Sequence, residues 1–371
     1  MTRRTITTAL AALALLVPVA ACGGGRAGGT ADPATGGTAT TPAIPAVRNR
    51  WHRVKPGGGC RCANGSDFSL FERTADRRRV VLHFGGGGAC WSAATCAQDG
   101  RDGSEGLYAA AVGEGPARRG GIFDLTDRRN PFADWSMVFV PYCTGDVFTG
   151  DAVTTYAPGL TIHHKGYADA TAAVEEVART FPHATEVVVT GLSAGAVAVP
   201  VFGAMVADRL PHARVVVLAD SGGAYPPAAG AVTGPWNVGG AIPDWPENAG
   251  LTAAQWADPV RLWAQAARHA PRVRFARFNY AYDHVQATYS ALAGAGSRDL
   301  AATIDANEAA IEAAGVHVAN YTAGGEAHGV LQYGTFYTET VGGVRLVDWV
   351  ARLVAGRAVG DVHCTDCRSA S

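Results

Sequence analysis

The segment Val187-Val-Val-Thr-Gly-Leu-Ser-Ala-Gly-Ala-Val-Ala-Val199 constrains this chain more than any other. A β-branched run of this kind reads as a buried strand, and the small residues after it read as a helix running to about Arg209. Between them Gly191-Leu-Ser193-Ala-Gly195 fits the G-x-S-x-G pattern of a nucleophile elbow. A serine there sits on a sharp strand-to-helix turn with its Oγ raised above the sheet. The flanking glycines let strand and helix backbones pass where a Cβ would clash. The backbone N–H of Ala194, at the helix start, then points to where an oxyanion would form. An ordinary strand-to-helix turn satisfies the same five residues, so the surroundings have to decide.

They do so first upstream. Arg79-Val-Val-Leu-His-Phe84 is a clear strand, and it runs straight into Gly85-Gly-Gly-Gly88-Ala-Cys90-Trp91. Bare glycine N–H groups directly after an apolar strand are what an oxyanion loop needs, because a reacting carbonyl must approach them unobstructed. Phe68 to Phe71 can begin a strand, and Trp135 to Tyr142 is a further one. Residues 144–164 carry no helical period and read as a long cleft-shaping loop holding Asp146, Asp151, His163 and His164. Gly166 to Phe181 has helical spacing of Ala170, Ala173, Val174 and Val177.

Downstream, Arg214–Asp220, Val273–Tyr280 and Val316–Tyr321 read as strands, Asp299–Ala314 and Gly343–Leu353 as helices. Residues 225–260, with Trp236, Trp245 and Trp256, read as a cap whose tryptophans either stack on sugar rings or pack against the body beneath. Strands alternating with helices give an α/β class, an α/β-hydrolase-like mostly parallel sheet flanked by helices. In such sheets the working residues lie beyond the carboxyl ends of the strands. Ser193, Asp283 and His328 fall there, in the Ser…Asp…His order of α/β-hydrolases. His328 would relay the serine proton, and Asp283 would orient and stabilise the imidazole. Asp220 ends the strand one position too early for that acid. His317 lies inside an expected strand as a core or face residue, and His284 precedes the last strand. No metal-ligand spacing such as HExxH occurs, so no metal or other cofactor is expected.

These stretches together resemble the pectin acetylesterase/Notum family of serine carboxylesterases. The matching residues are Gly86-Gly-Gly-Ala-Cys90 with Cys96, Pro141-Tyr-Cys143-Thr-Gly-Asp146, Lys165-Gly-Tyr-Ala-Asp169, the elbow, Asp220-Ser-Gly222, Asp283 and Ala327-His328. They run from about Cys62 to His328. The resemblance implies the triad just named, an oxyanion hole from the N–H groups of Gly87, Gly88 and Ala194, and disulfides Cys90–Cys96 and Cys62–Cys143. Family members usually carry an aromatic residue before the first cysteine of the glycine loop. Here Ala89 holds that place and Trp91 follows the cysteine.

The remaining features concern address. Arg3-Arg4 followed by the apolar Ala9–Ala21 reads as a signal peptide of the lipoprotein type over 1–21, ending at the lipobox-like Val19-Ala-Ala-Cys22. Cys22 would be the lipidated residue, 22–45 a flexible tether, and 46–371 the catalytic domain. Free secretion is the alternative to anchoring. Export makes the other cysteines of the 8 candidates for disulfides, with Cys364-Thr-Asp-Cys367 read as a terminal staple. A net charge of −1 gives no electrostatic case for nucleic acid. The expected activity is removal of a short acyl group, acetyl, from a carbohydrate by a surface esterase. A lipid or protein deacylase of the same family, or a glycan-binding lipoprotein without catalysis, are the alternatives.

Overall fold

The computed structural model describes residues 50–368 apart from 101–105, 114, 117–119, 226–231 and 295–298. The signal, Cys22 and the whole tether lie outside the described residues. The strands are β1 (His52–Val54), β2 (Leu70–Arg73), β3 (Asp76–Phe84), β4 (Trp135–Val140), β5 (Ala152–Ala157), β6 (Leu160–His164), β7 (Glu186–Leu192), β8 (Arg214–Asp220), β9 (Arg274–Tyr280), β10 (Val318–Ala323), β11 (Thr340–Val341), β12 (Val344–Arg345) and β13 (Val362–His363). The α-helices are α1 (Ala93–Cys96), α2 (Gly166–Thr180), α3 (Ala194–Val197), α4 (Val199–Arg209), α5 (Ala253–Trp256), α6 (Pro259–His269), α7 (His284–Leu292), α8 (Leu300–Ala313) and α9 (Leu346–Val354).

Nine strands form the main sheet in the order β1-β2-β4-β3-β7-β8-β9-β10-β13. The pairings β1·β2 and β2·β4 are antiparallel, and every pairing from β4·β3 onward is parallel. Parallel strands need crossovers, and the helices that supply them cover both faces. This explains why Val80–Phe84, all of β4, and Val187–Leu192 are buried without alternation. Val80, Leu82, Val187 and Val189 pack on one face against residues of α2, α4 and α6. Val81, Val188, Val216 and Phe278 pack on the other against Leu346, Trp349 and Val350 of α9. Each such fully buried side chain contributes on the order of 1.5–3 kcal/mol. Among the described residues no helix is long and apolar enough to cross a membrane.

Two expectations change. Residues 152–164 are not open loop but the antiparallel hairpin β5·β6, turned at Pro158-Gly159 with Gly159 at φ 78°. The Pro-Gly pair was the signal for it. His317 is exposed and lies just before β10 rather than within it. Trp236, Trp245 and Trp256 are buried, Trp245 stacked on His269 with ring centroids 4.2 Å apart. They pack the cap, and Trp236 and Trp256 also line the cavity described below.

The structure joins Cys62 to Cys143, Cys90 to Cys96 and Cys364 to Cys367, leaving Cys60 as a free, buried thiol. The terminal staple is anchored to the sheet: Cys364 N–H donates to the Thr322 carbonyl at 3.0 Å, and Gly325 N–H to the Cys367 carbonyl at 2.9 Å.

Candidate active site

The elbow forms where β7 ends. Ser193 has φ 56°, ψ −121°, a strained backbone for a residue with a side chain. Its N–H donates to the Asp220 carbonyl at 2.8 Å, which holds the turn against β8. Both flanking glycines are required. A Cβ at Gly191 would stand 2.3 Å from the Gly195 carbonyl oxygen, and one at Gly195 would stand 2.3 Å from that of Phe84.

The glycine run lies beside it, at the end of β3. A Cβ at Gly86 would come within 3.0 Å of the Ser193 Cβ, so the loop passes over the elbow itself. The loop is clamped from its far side. Ala109 N–H donates to the Gly87 carbonyl at 2.8 Å and Ala89 N–H to that of Leu107 at 3.3 Å. Cys90–Cys96 then fastens its end to α1. Among the described residues, the N–H groups of Gly87, Gly88 and Ala194 donate to no protein acceptor.

Asp283 follows β9 and caps α7. Its Oδ1 accepts from the N–H groups of Val285 and Gln286, both at 3.0 Å. Its Oδ2 accepts from Gln286 Nε2 at 3.0 Å and lies 2.8 Å from His328 Nδ1. The carboxylate is fully buried, so these donors replace the water it lost. The loop after β10 meets it backbone to backbone: Tyr282 N–H donates to the Gly325 carbonyl and His284 N–H to that of Glu326, at 3.0 and 3.1 Å. His328 is thereby held opposite Asp283 with Nε2 left unpartnered among the described residues.

Asp220 has a different task. It is buried and accepts from the N–H groups of Val330 and Leu331 at 3.0 and 2.9 Å, while Ser221 Oγ accepts from Gly329 N–H at 2.9 Å. Asp220 thus anchors the chain just after His328. Burial pushes its carboxyl up to about 6, and the two amides and His328 pull against that rise.

Ser193, His328, Gly88 and Ala194 share the wall of a cavity of about 160 Å³. The rest of the wall is largely apolar, with Val147, Val197, Trp236, Val238, Trp256, Leu262 and Tyr289 among its members. Ala89 and Trp91 both face it, so the aromatic displaced from the position before Cys90 is supplied after it. Trp236 reaches it from the cap, its Nε1–H donating to the Cys90 carbonyl at 2.8 Å. The cavity draws on chain segments far apart in sequence, which is why no local pattern announced it. Two helices behind it did leave signals. Asp258-Pro259 is an N-cap followed by proline at the first helical position, and Asp283-x-x-Gln286 has capping-box spacing.

The other candidates stand apart from this wall. His164 is buried between the Thr144 carbonyl and the Tyr156 hydroxyl, both 2.9 Å away, and burial lowers its pKa to about 4. Asp146 accepts from Thr144 Oγ1 at 2.6 Å and Gly166 N–H at 2.8 Å, bracing the loop that carries Val147 to the cavity. Asp151 pairs with Lys165 at 2.7 Å. His163 packs against Gly65, and His284 is an exposed residue opening α7.

Comparison with known proteins bears on the family and the fold. The pectinacetylesterase family model matches residues 53–226, which contain the glycine loop and the elbow. Among solved structures, the Wnt deacylase Notum from Drosophila is similar with a TM-score of 0.61 and 15% identity, covering 85% of this chain and 96% of that one. No curated protein matches the chain. At that identity the Notum likeness speaks for the fold, while the family match carries the chemistry. Residues 53–226 thus match the pectinacetylesterase family, and that match together with the α/β-hydrolase-like fold supports a serine carboxylic ester hydrolase.

Proposed function

We propose that Ser193, His328 and Asp283 are the nucleophile, general base and orienting acid of this hydrolase. The observation that carries the reading is the 2.8 Å contact between His328 Nδ1 and Asp283 Oδ2 at the edge of the cavity that Ser193 lines. With Nδ1–H committed to Asp283, Nε2 is the lone-pair nitrogen and takes the Ser193 Oγ proton as the oxygen attacks an ester carbonyl. The N–H groups of Gly87, Gly88 and Ala194 receive the developing oxyanion. His328 returns the proton to the departing alcohol, and water then repeats the sequence on the acyl-enzyme.

The acyl group is the part the cavity reshapes. Acetyl was the expectation while no long apolar lining stood beside Ser193. The fold supplies one, of about 160 Å³. That is near the roughly 150 Å³ of a dry engineered cavity that admits benzene. An acyl chain of intermediate length is therefore the proposed occupant, with a carbohydrate as the alcohol on the open side near His328. Three disulfides suit an exported protein, and anchoring through Cys22 remains part of the proposal.

The test is labelling by a fluorophosphonate probe. Wild type should be labelled and Ser193→Ala should not. Labelling that persists in Ser193→Ala would refute the assignment.

A further inference from the structure

The cavity wall contains two tyrosines, and while the Tyr225 hydroxyl accepts from Trp263 Nε1 at 3.1 Å, that of Tyr289 reaches the glycine loop. Tyr289 of α7 donates its hydroxyl hydrogen bond to the Leu107 carbonyl. That carbonyl is the one that also accepts from Ala89 N–H at 3.3 Å, immediately after Gly88. Gly88 itself is at φ 72° and bridges Tyr108. A Cβ on it would lie 1.9 Å from the Leu107 carbonyl oxygen and 2.2 Å from the Tyr289 hydroxyl. The phenol, the Leu107 carbonyl and the glycine loop therefore meet at one point with no room between them.

A half-buried tyrosine hydroxyl still needs some partner, and an ordinary packing role would be satisfied by any carbonyl within reach. Two observations single this one out. The partner is the carbonyl that clamps the residue next to the expected oxyanion donors, and the helix that presents Tyr289 is capped by Asp283. One short rigid element thus touches both halves of the machinery, the acid at its first turn and the oxyanion loop at Tyr289.

We propose that Tyr289 is a positioning residue for the oxyanion loop, its hydroxyl fixing Leu107 and with it the direction of the Gly88 N–H. This rests on the esterase reading given above. Tyr289 takes no part in proton transfer: burial raises its phenol above the usual range, so it stays a neutral donor. Its contribution is geometric. Outright loss of an oxyanion donor costs about 10²–10³ in kcat, so a donor that is loosened rather than lost should cost about 10–100-fold.

Tyr289→Phe keeps the ring and removes only the hydroxyl. On p-nitrophenyl esters its kcat should fall about 10–100-fold, with KM within about twofold and the pH profile unmoved. Affinity for a trifluoromethyl ketone, whose adduct places an oxyanion in the same site, should fall in parallel with kcat/KM. A substrate-like amide that forms no oxyanion should bind as before. Full activity with unchanged ketone affinity would overturn the proposal, as would an equal loss of ketone and amide binding. Should Tyr289→Phe fail to fold, Tyr289→Gln, which keeps a donor, is compared with Tyr289→Leu. The proposal requires Gln to retain more ketone affinity, and equality contradicts it. Fluorophosphonate labelling of wild type separates the two levels. A silent wild type defeats the esterase reading, whereas an active wild type with an unaffected Tyr289→Phe defeats only this one.

Discussion

The strand ends and the cavity wall were built under different rules. At the strand ends each functional residue is held by backbone that its own neighbours dictate. Ser193 is forced up by Gly191 and Gly195, Asp283 caps the helix that follows it, and His328 is pinned through Gly325 and Glu326. The cavity wall has no such local cause. Val147, Val197, the cap residues Trp236 and Trp256, and Tyr289 come from separate stretches and meet because α7 and the cap fold over the carboxyl ends of the central strands. The difference separates chemistry from selectivity. Substitutions at the strand ends should remove turnover, while those in the wall should redirect it.

The largest effect expected is at the proposed nucleophile. Ser193→Ala should lower kcat by roughly 10⁴–10⁶ with little change in thermal unfolding. Asp283→Asn comes next, with a loss of up to about 10⁴ when the imidazole tautomer is no longer fixed. Asp220→Asn sharpens the contrast between the two buried acids. It should act mainly on stability and on the order of the 329–331 segment, because Asp220 holds backbone amides rather than the imidazole. If Asp220→Asn matched Asp283→Asn in kcat at undiminished stability, the two roles would have been assigned the wrong way round.

In the wall, Val197→Phe should fill the cavity next to the elbow. Each methylene denied its place costs about 0.8 kcal/mol, so hexanoyl over acetyl preference should drop by up to about 200-fold across four methylenes, while acetate turnover changes little. A uniform loss on every chain length would mean the residue serves the elbow and not the acyl group.

The smallest effect expected is on stability. Asp169 is buried, and among the described residues neither carboxylate oxygen meets hydrogen-bonding geometry, its polar neighbours being the Cys60 thiol and the Arg61 N–H. Burial, with Asp146 nearby, pushes its pKa up to about 9 from an ordinary 3.8. The folded state then holds a proton that the unfolded state releases, so this group's contribution to stability falls as pH rises from roughly 4 to 9. Asp169→Asn removes that dependence and should be the more stable form at alkaline pH, by about 1–3 kcal/mol. Urea unfolding of both proteins at pH 5 and pH 8 decides it, and an equal difference at the two values would contradict the buried-acid account. The Cys60 thiol beside Asp169 is pushed up to about 12 by burial, so it should resist alkylation until the protein unfolds.

What was legible in the sequence follows the same division. The elbow, the glycine loop and the strands that carry them show in runs of a few residues, because backbone strain and β-branched burial leave local marks. Cys62–Cys143 and Cys90–Cys96 came through the family resemblance, and the terminal staple through the spacing of Cys364 and Cys367. The hairpin at 152–164 was missed although Pro158-Gly159 marked its turn. Helix α7 was missed because its face toward the protein is polar as well as apolar: Gln286 and Ser290 lie beside Val285 and Tyr289 on the cavity wall. A hydrophobic period cannot find such a helix, and only its cap spacing could. The apolar cavity could not be read at all, since its lining is a tertiary coincidence of distant segments.

That cavity is also where the account is most exposed. The most direct test is kcat/KM for p-nitrophenyl esters from acetate to dodecanoate. An apolar pocket of this size predicts a maximum at about four to eight carbons, with decline on either side. A steady fall from acetate onward would contradict the acyl assignment of the cavity and return the enzyme to acetyl removal.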